Sequence, residues 1–215
     1  MDDGQPAYDQ SLLEPVRDIF TKSIKVYGPN NKAVAWFDAE RMQRRFQIFA
    51  GLLAYADGDQ GVTVNDLGCG YGAMFGAFKN LEALRNGRYF GYDISTEMIA
   101  SCRSRITDPR AEFSVSHVAK RTADYSFVSG TYNMKMAAGD DEWLGYVEEN
   151  LKHLWSKTRR ALGFNMLDAN HPGTQKTLYF ADPKYIFNFC KTHLSDNVRL
   201  IDRLAPKEFV IFVMR

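Results

Sequence analysis

Val62-Thr-Val-Asn-Asp-Leu-Gly-Cys-Gly-Tyr-Gly72 joins an apolar strand pattern to an acid at position 66 and to glycines at 68, 70 and 72. A helical pattern begins directly afterwards, at Ala73. Strand, glycine turn and helix in that order read as a turn that cradles a ligand. Glycine has no Cβ, so the backbone can turn tightly at positive φ and approach a bound group. Asp66 stands at the carboxyl end of the strand, the edge where open α/β sheets bind ligands.

Working outward, the pattern alternates. After the turn a helix is expected at about 73–85, with Phe75, Phe78, Leu81 and Leu84 apolar and Asn86-Gly87 closing it. A second strand is expected at 88–93, then a helix capped by Ser95. Further strands are read at 111–115, 124–129 and 161–166, with a helix from Asp140 between the last two. Asp182-Pro183 opens another helix. The final strands, 198–201 and 209–214, are separated by about seven residues, too few for a parallel crossover, so they form a hairpin. On the other side, Leu12, Leu13, Val16, Ile19, Phe20 and Ile24 recur at helical spacing, and a longer amphipathic helix is expected at about 36–56. Alternating strands and helices imply an α/β fold: a doubly wound, mainly parallel, Rossmann-like sheet of seven strands with a C-terminal antiparallel hairpin and an N-terminal helical segment. The division expected is a lid or cap segment at 1–56 and a binding domain at 57–215.

Composition sets limits. The chain has 215 residues, 45% hydrophobic and 25% charged, with a net charge of +1. That charge offers no global field for nucleic acid or an acidic membrane. The three cysteines, Cys69, Cys102 and Cys190, lack paired spacing and are expected as reduced thiols in a cytoplasmic protein. No signal peptide and no membrane span are expected. The four histidines share no metal spacing, and no metal is expected.

Gly68-x-Gly70-x-x-Ala73 also satisfies the dinucleotide fingerprint, a weak signal alone. Three features argue against a nicotinamide oxidoreductase. A carboxylate at Asp66 repels a pyrophosphate and attracts an ammonium group. The closing hairpin is foreign to an all-parallel dinucleotide sheet. The length leaves little room for a separate substrate domain. Asp66-Leu-Gly-Cys-Gly-Tyr-Gly72 resembles the first motif of class I S-adenosylmethionine-dependent methyltransferases, and Tyr89-Phe-Gly-Tyr-Asp-Ile-Ser-Thr-Glu-Met98 resembles the second. The resemblance runs from about Tyr27 to the C-terminus. The turn together with Leu178-Tyr-Phe-Ala-Asp-Pro183 is similar to a bacterial subgroup without an assigned substrate.

The resemblance implies roles for S-adenosylmethionine as cofactor. Asp93 accepts from the ribose diol, Ile94 packs on the adenine, and His117 lies near it. Gly68, Cys69 and Gly70 cradle the donor. Asp66 holds the loop or reaches the methionine ammonium. Ser129 and Gly130 lie beside the methionine part; Arg45 pairs with its carboxylate, and Tyr27 and Trp36 wall that side. Tyr132, Asn133 and Tyr179 are expected to face the acceptor, a small molecule, and no residue reads as a catalytic base. The Asn/Asp-Pro-Pro-aromatic signature of enzymes methylating DNA-base amino groups is absent after the fourth strand, against a nucleic-acid partner. A non-catalytic protein that binds S-adenosylmethionine or S-adenosylhomocysteine is the competing reading.

Overall fold

The computed structural model describes residues 8–35, 38–54, 61–205 and 207–215. Five strands form the parallel body: β1 Thr63–Leu67, β2 Arg88–Asp93, β3 Ala111–Val115, β4 Ala123–Ser129 and β5 Thr158–Asp168. They are followed by β6 Phe180–Ala181, β7 Asn197–Ala205 and β8 Glu208–Met214. The order is β3-β2-β1-β4-β5-β8-β7, with β6 pairing β5 off this path. Only β8 runs against the others, antiparallel to both β5 and β7. Strand order reverses between β1 and β4, and the carboxyl ends there form the crevice where such sheets bind ligands.

Among the described residues six α-helices cover the sheet: α1 Glu14–Tyr27, α2 Ala39–Leu53, α3 Ala73–Phe78, α4 Thr96–Arg105, α5 Asp140–Ser156 and α6 Pro183–His193. Their starts follow the expected capping chemistry. Asp38 accepts from Arg41 N at 3.0 Å, Ser95 from Met98 N at 3.3 Å, and Asp182 from Lys184 N at 2.8 Å. One face packs Met42, Phe46, Phe49 and Leu53 of α2 with Phe75 and Phe78 of α3 and Ile99 and Cys102 of α4. The other packs α5 and α6, and Leu13 and Val16 from the start of α1 join it. β8 serves both: Val210 and Phe212 point to the first core, Phe209, Ile211 and Val213 to the second.

The fold matches the expected class and differs in detail; β7, for one, runs on from the expected 198–201 to Ala205, so two residues separate it from β8 where about seven were expected. The helix expected at 73–85 ends at Phe78, and Glu82–Leu84 forms a 3-10 turn. Its apolar residues are spaced strictly by three, which in a straight α-helix swings each about 60° from the last. Breaking the helix returns Leu84 to full burial. The long helix occupies Ala39–Leu53, and its expected first residues, Trp36 among them, lie outside the described residues. β6 was not expected, because two residues carry no period to read. It pairs Leu167 and Asp168 of β5 beyond the point where β4 ends at Ser129.

Candidate donor site and cleft

The glycine turn leaves β1 tied to the end of β2. The N–H groups of Gly68 and Cys69 both donate to the carbonyl of Tyr92, at 2.8 and 2.9 Å. Gly68 has φ +75°, and a Cβ there would sit 1.9 Å from Thr131 Oγ1. Gly70 has φ +53°, and its Cβ would meet Val34 Cγ1 at 2.7 Å. Both positions therefore favour glycine, Gly68 most strongly, for conformation and for space. The Cys69 side chain is buried, and burial pushes its thiol well up, so it stays a neutral packing group.

Two carboxylates bracket the turn. Asp93 Oδ2 accepts from Gly70 N and Oδ1 from Ser95 N, each at 2.9 Å. Burial raises Asp93 to about 6, against the lowering pull of those N–H groups. Asp66 is 1% exposed. Its Oδ2 accepts from the Tyr89 hydroxyl, and its Oδ1 has no partner among the described residues. Burial raises Asp66 to about 7; the Tyr89 hydrogen bond opposes this and the neighbouring Asp93 adds to it.

Between the turn and the strand ends lies a cleft. Gly68, Gly70, Asp93 and Ile94 form one side, Ser116 and His117 the end, and Ser129, Gly130 and Thr131 the floor opposite the turn. Leu13, which precedes α1, and Val16 and Phe20 of α1 roof it, and Trp143 and Tyr146 of α5 close the far wall. Tyr8 packs edge-on against Tyr146, ring centroids 4.7 Å apart, and against His117 at 6.0 Å. A side recess opens beside the turn, lined by Asp66, Cys69, Met42, Phe46, Tyr71 and Ser129 among others.

Of the residues singled out by sequence, Gly68, Gly70, Asp93, Ile94, Ser129 and Gly130 share the cleft, with His117. Asp66 and Cys69 sit in the side recess. The other described ones lie elsewhere, and Trp36 is outside the described residues. Arg45 is buried behind the floor, where its Nη1 donates to Glu208 Oε2 at 2.9 Å and its Nε to Ser129 Oγ at 3.0 Å. Glu208 takes the place expected for a ligand carboxylate, because desolvating a guanidinium requires a fixed countercharge. Tyr27 is half-exposed at the end of α1 and lines neither space. Tyr132 is fully buried and donates to Asn150 Oδ1 at 2.8 Å. Tyr179 belongs to the same core. Asn133 accepts from Leu167 N through its side chain and from Tyr179 N through its carbonyl, so it ties loops together. The wall facing the floor comes instead from Leu13, Val16, Phe20, Trp143 and Tyr146. Leu13, Val16 and Phe20 carry only a helical spacing in the sequence, and nothing in that spacing marks a residue as cleft wall rather than core.

Among the described residues no cluster of His, Cys, Asp and Glu could hold a metal ion. None of their helices is long and apolar enough to cross a membrane.

Residues 64–163 match a family described as "Methyltransferase domain". A protein of Mycobacterium tuberculosis (strain ATCC 25618 / H37Rv) named as a methyltransferase is 33% identical over 156 residues, 71% of this chain and 93% of its own length. Among solved structures, magnesium protoporphyrin IX methyltransferase from Synechocystis PCC 6803 with bound S-adenosylmethionine superposes with a TM-score of 0.66. It is 16% identical, with 98% of this chain and all of that one covered. Mitomycin 7-O-methyltransferase superposes at 0.58 and 13% identity, over 91% of this chain and 60% of that one. With the glycine turn, the acid ending β2 and the reversed β8 in place, the chain belongs to the class I S-adenosylmethionine-dependent methyltransferases.

Proposed function

We propose that this methyltransferase acts on a small, largely uncharged acceptor held under α1, and that the donor lies across the glycine turn. The residues present fit the donor on three counts. Asp66 Oδ1 is a buried acceptor with no protein partner, suited to the methionine ammonium. The glycine positions leave a cradle that a Cβ would close. Asp93 ends β2 within the cleft and keeps lone pairs for the ribose diol. Ile94, Ser116 and His117 then flank the adenine, and Ser129 and Gly130 lie along the methionine part.

The observation that carries the acceptor assignment is the lining of the cleft. Its described side chains include one carboxylate, Asp93 on the donor side, and no Lys or Arg. A polyanionic acceptor needs cations to neutralise its phosphates. An apolar molecule needs what α1 and α5 provide, a dry wall of aliphatic and aromatic groups. Proteins of this fold named for magnesium protoporphyrin IX and mitomycin methylation, both small-molecule acceptors, accord with that reading.

The bound sulfonium supplies an activated methyl group. The chain's own residues hold and align the partners, which can account for about 7–11 kcal/mol of the barrier. Residues 1–56 act as a cap: Leu13, Val16 and Phe20 exclude water from the cleft, with Tyr8 packed against Tyr146 and His117 beside them. The test is methyl-labelled S-adenosylmethionine incubated with enzyme and a fractionated cell extract. Label should appear in the low-molecular-weight fraction; label recovered in RNA or protein overturns the acceptor assignment.

A further inference from the structure

The turn after β4 is fixed residue by residue. Ser129 Oγ accepts from Arg45 Nε at 3.0 Å, Gly130 N donates to Asn165 Oδ1 at 2.8 Å, and Thr131 Oγ1 donates to the Leu67 carbonyl at 3.1 Å. The first two anchors converge on one carboxylate. Arg45 Nη1 and Asn165 Nδ2 both donate to Glu208 Oε2, at 2.9 and 3.0 Å. Arg41 Nε donates to the other oxygen at 3.3 Å. Arg45 is 1% exposed, Asn165 0% and Glu208 5%. Burial pulls the Arg45 guanidinium down to about 10, against the raising pull of Glu208, so it stays charged at neutral pH. A buried ion pair is a poor source of stability, since apolar side chains of similar volume often do as well. What it supplies here is direction, because both arms end on adjacent residues of the cleft floor.

We propose that Glu208 is a positioning residue for methyl transfer: from the first position of β8 it sets, through Arg45 and Asn165, the Ser129–Gly130 turn that the donor's methionine part lies against. Glu208 itself lines neither the cleft nor the side recess. The proposal rests on the donor placement given above, and the experiment separates the two.

S-adenosylhomocysteine affinity is measured by calorimetry, thermal stability by scanning, and the Gly130 amide resonance by NMR, in Glu208→Gln and in the double variant Arg45→Met/Glu208→Gln. Ile186→Ala in α6, fully buried and away from the cleft, serves as a reference for destabilisation. Asp93→Ala serves as a reference for donor placement. Glu208→Gln should weaken binding about tenfold or more, the scale of a misplaced charge-assisted hydrogen bond, and should move the Gly130 resonance. The double variant, which no longer buries a lone guanidinium, should regain stability without regaining affinity. Ile186→Ala should stay within about twofold of the parent affinity. Affinity that follows melting temperature across all variants overturns the proposal. So does parent-like binding by Glu208→Gln when Asp93→Ala binds weakly. Parent-like binding by Asp93→Ala overturns the donor placement itself, and the proposal with it.

Discussion

The two sides of the cleft are made of opposite materials. The side proposed for the donor is backbone and carboxylate from two short stretches, Asp66 to Gly70 and Asp93 to Ser95, locked by hydrogen bonds between them. The side proposed for the acceptor is apolar side chains from α1 and α5, elements more than a hundred positions apart in the chain. A donor of fixed shape can be met by fixed local geometry, so its site is written into a motif. A wall that only has to be dry and well shaped can be assembled from any well-packed helices, and its residues resemble ordinary core.

The donor side should break hardest. Gly68→Ala places a Cβ 1.9 Å from Thr131 Oγ1 at φ +75°, so the turn or the floor opposite must move. Backbone strain of about 1–3 kcal/mol and the loss of the Thr131–Leu67 hydrogen bond, about 1 kcal/mol, predict a destabilisation of about 2–4 kcal/mol. S-adenosylhomocysteine binding should disappear. Urea denaturation and calorimetry read the two effects separately. Full affinity in a folded Gly68→Ala protein would mean that the turn has slack and that the contrast with the acceptor side is overdrawn.

How far the sequence could be read follows the same division. Asp66, the three glycines and Asp93 were legible because each residue type answers a local demand: positive φ, close approach, an acid at a strand end. The hairpin was legible because even the seven residues expected between its strands cannot span a parallel crossover. Arg45 was expected beside a ligand carboxylate and stands instead against Glu208, 163 positions away, a pairing that no local pattern shows. Tyr132 and Tyr179 were expected toward the acceptor and lie in the core, for a related reason. A tyrosine near strand ends at the cleft looks the same in sequence whether its hydroxyl meets a ligand or, as for Tyr132, a buried amide such as that of Asn150. The acceptor wall left no signal, since Val16 and Trp143 obey the same helical spacing as their core neighbours.

A smaller effect should distinguish the two sides by pH. Burial, the largest cause in each case, raises Asp93 to about 6 and Asp66 to about 7, whereas an unfolded aspartate titrates near 3.9. Between these limits the folded chain without ligand keeps protons that the unfolded chain has released. The resulting stability is complete below about pH 4 and is lost as pH rises through 6 to 7. Donor binding runs the other way, because an ammonium and a ribose diol prefer ionised carboxylates. From pH 5 to 8 the ligand-free melting temperature should therefore lose this contribution, while S-adenosylhomocysteine affinity rises by up to about tenfold per pH unit for each titrating group. Affinity flat over that window would remove the two carboxylates from the donor side. The uncharged acceptor wall has no counterpart to this titration.

The smallest donor effect is expected where the acceptor wall alone is cut. Val16→Ala removes two buried methyl groups from the roof of the cleft, at a cost of about 1–2 kcal/mol in stability. Val16 offers the donor no polar group, so S-adenosylhomocysteine affinity should stay within about threefold, less than 1 kcal/mol. Transfer of labelled methyl to the acceptor fraction should change more, since the roof touches what lies beneath it. Equal losses in donor affinity and transfer would make α1 a lid over the donor, and the acceptor would then have to be sought against Trp143 and Tyr146 alone.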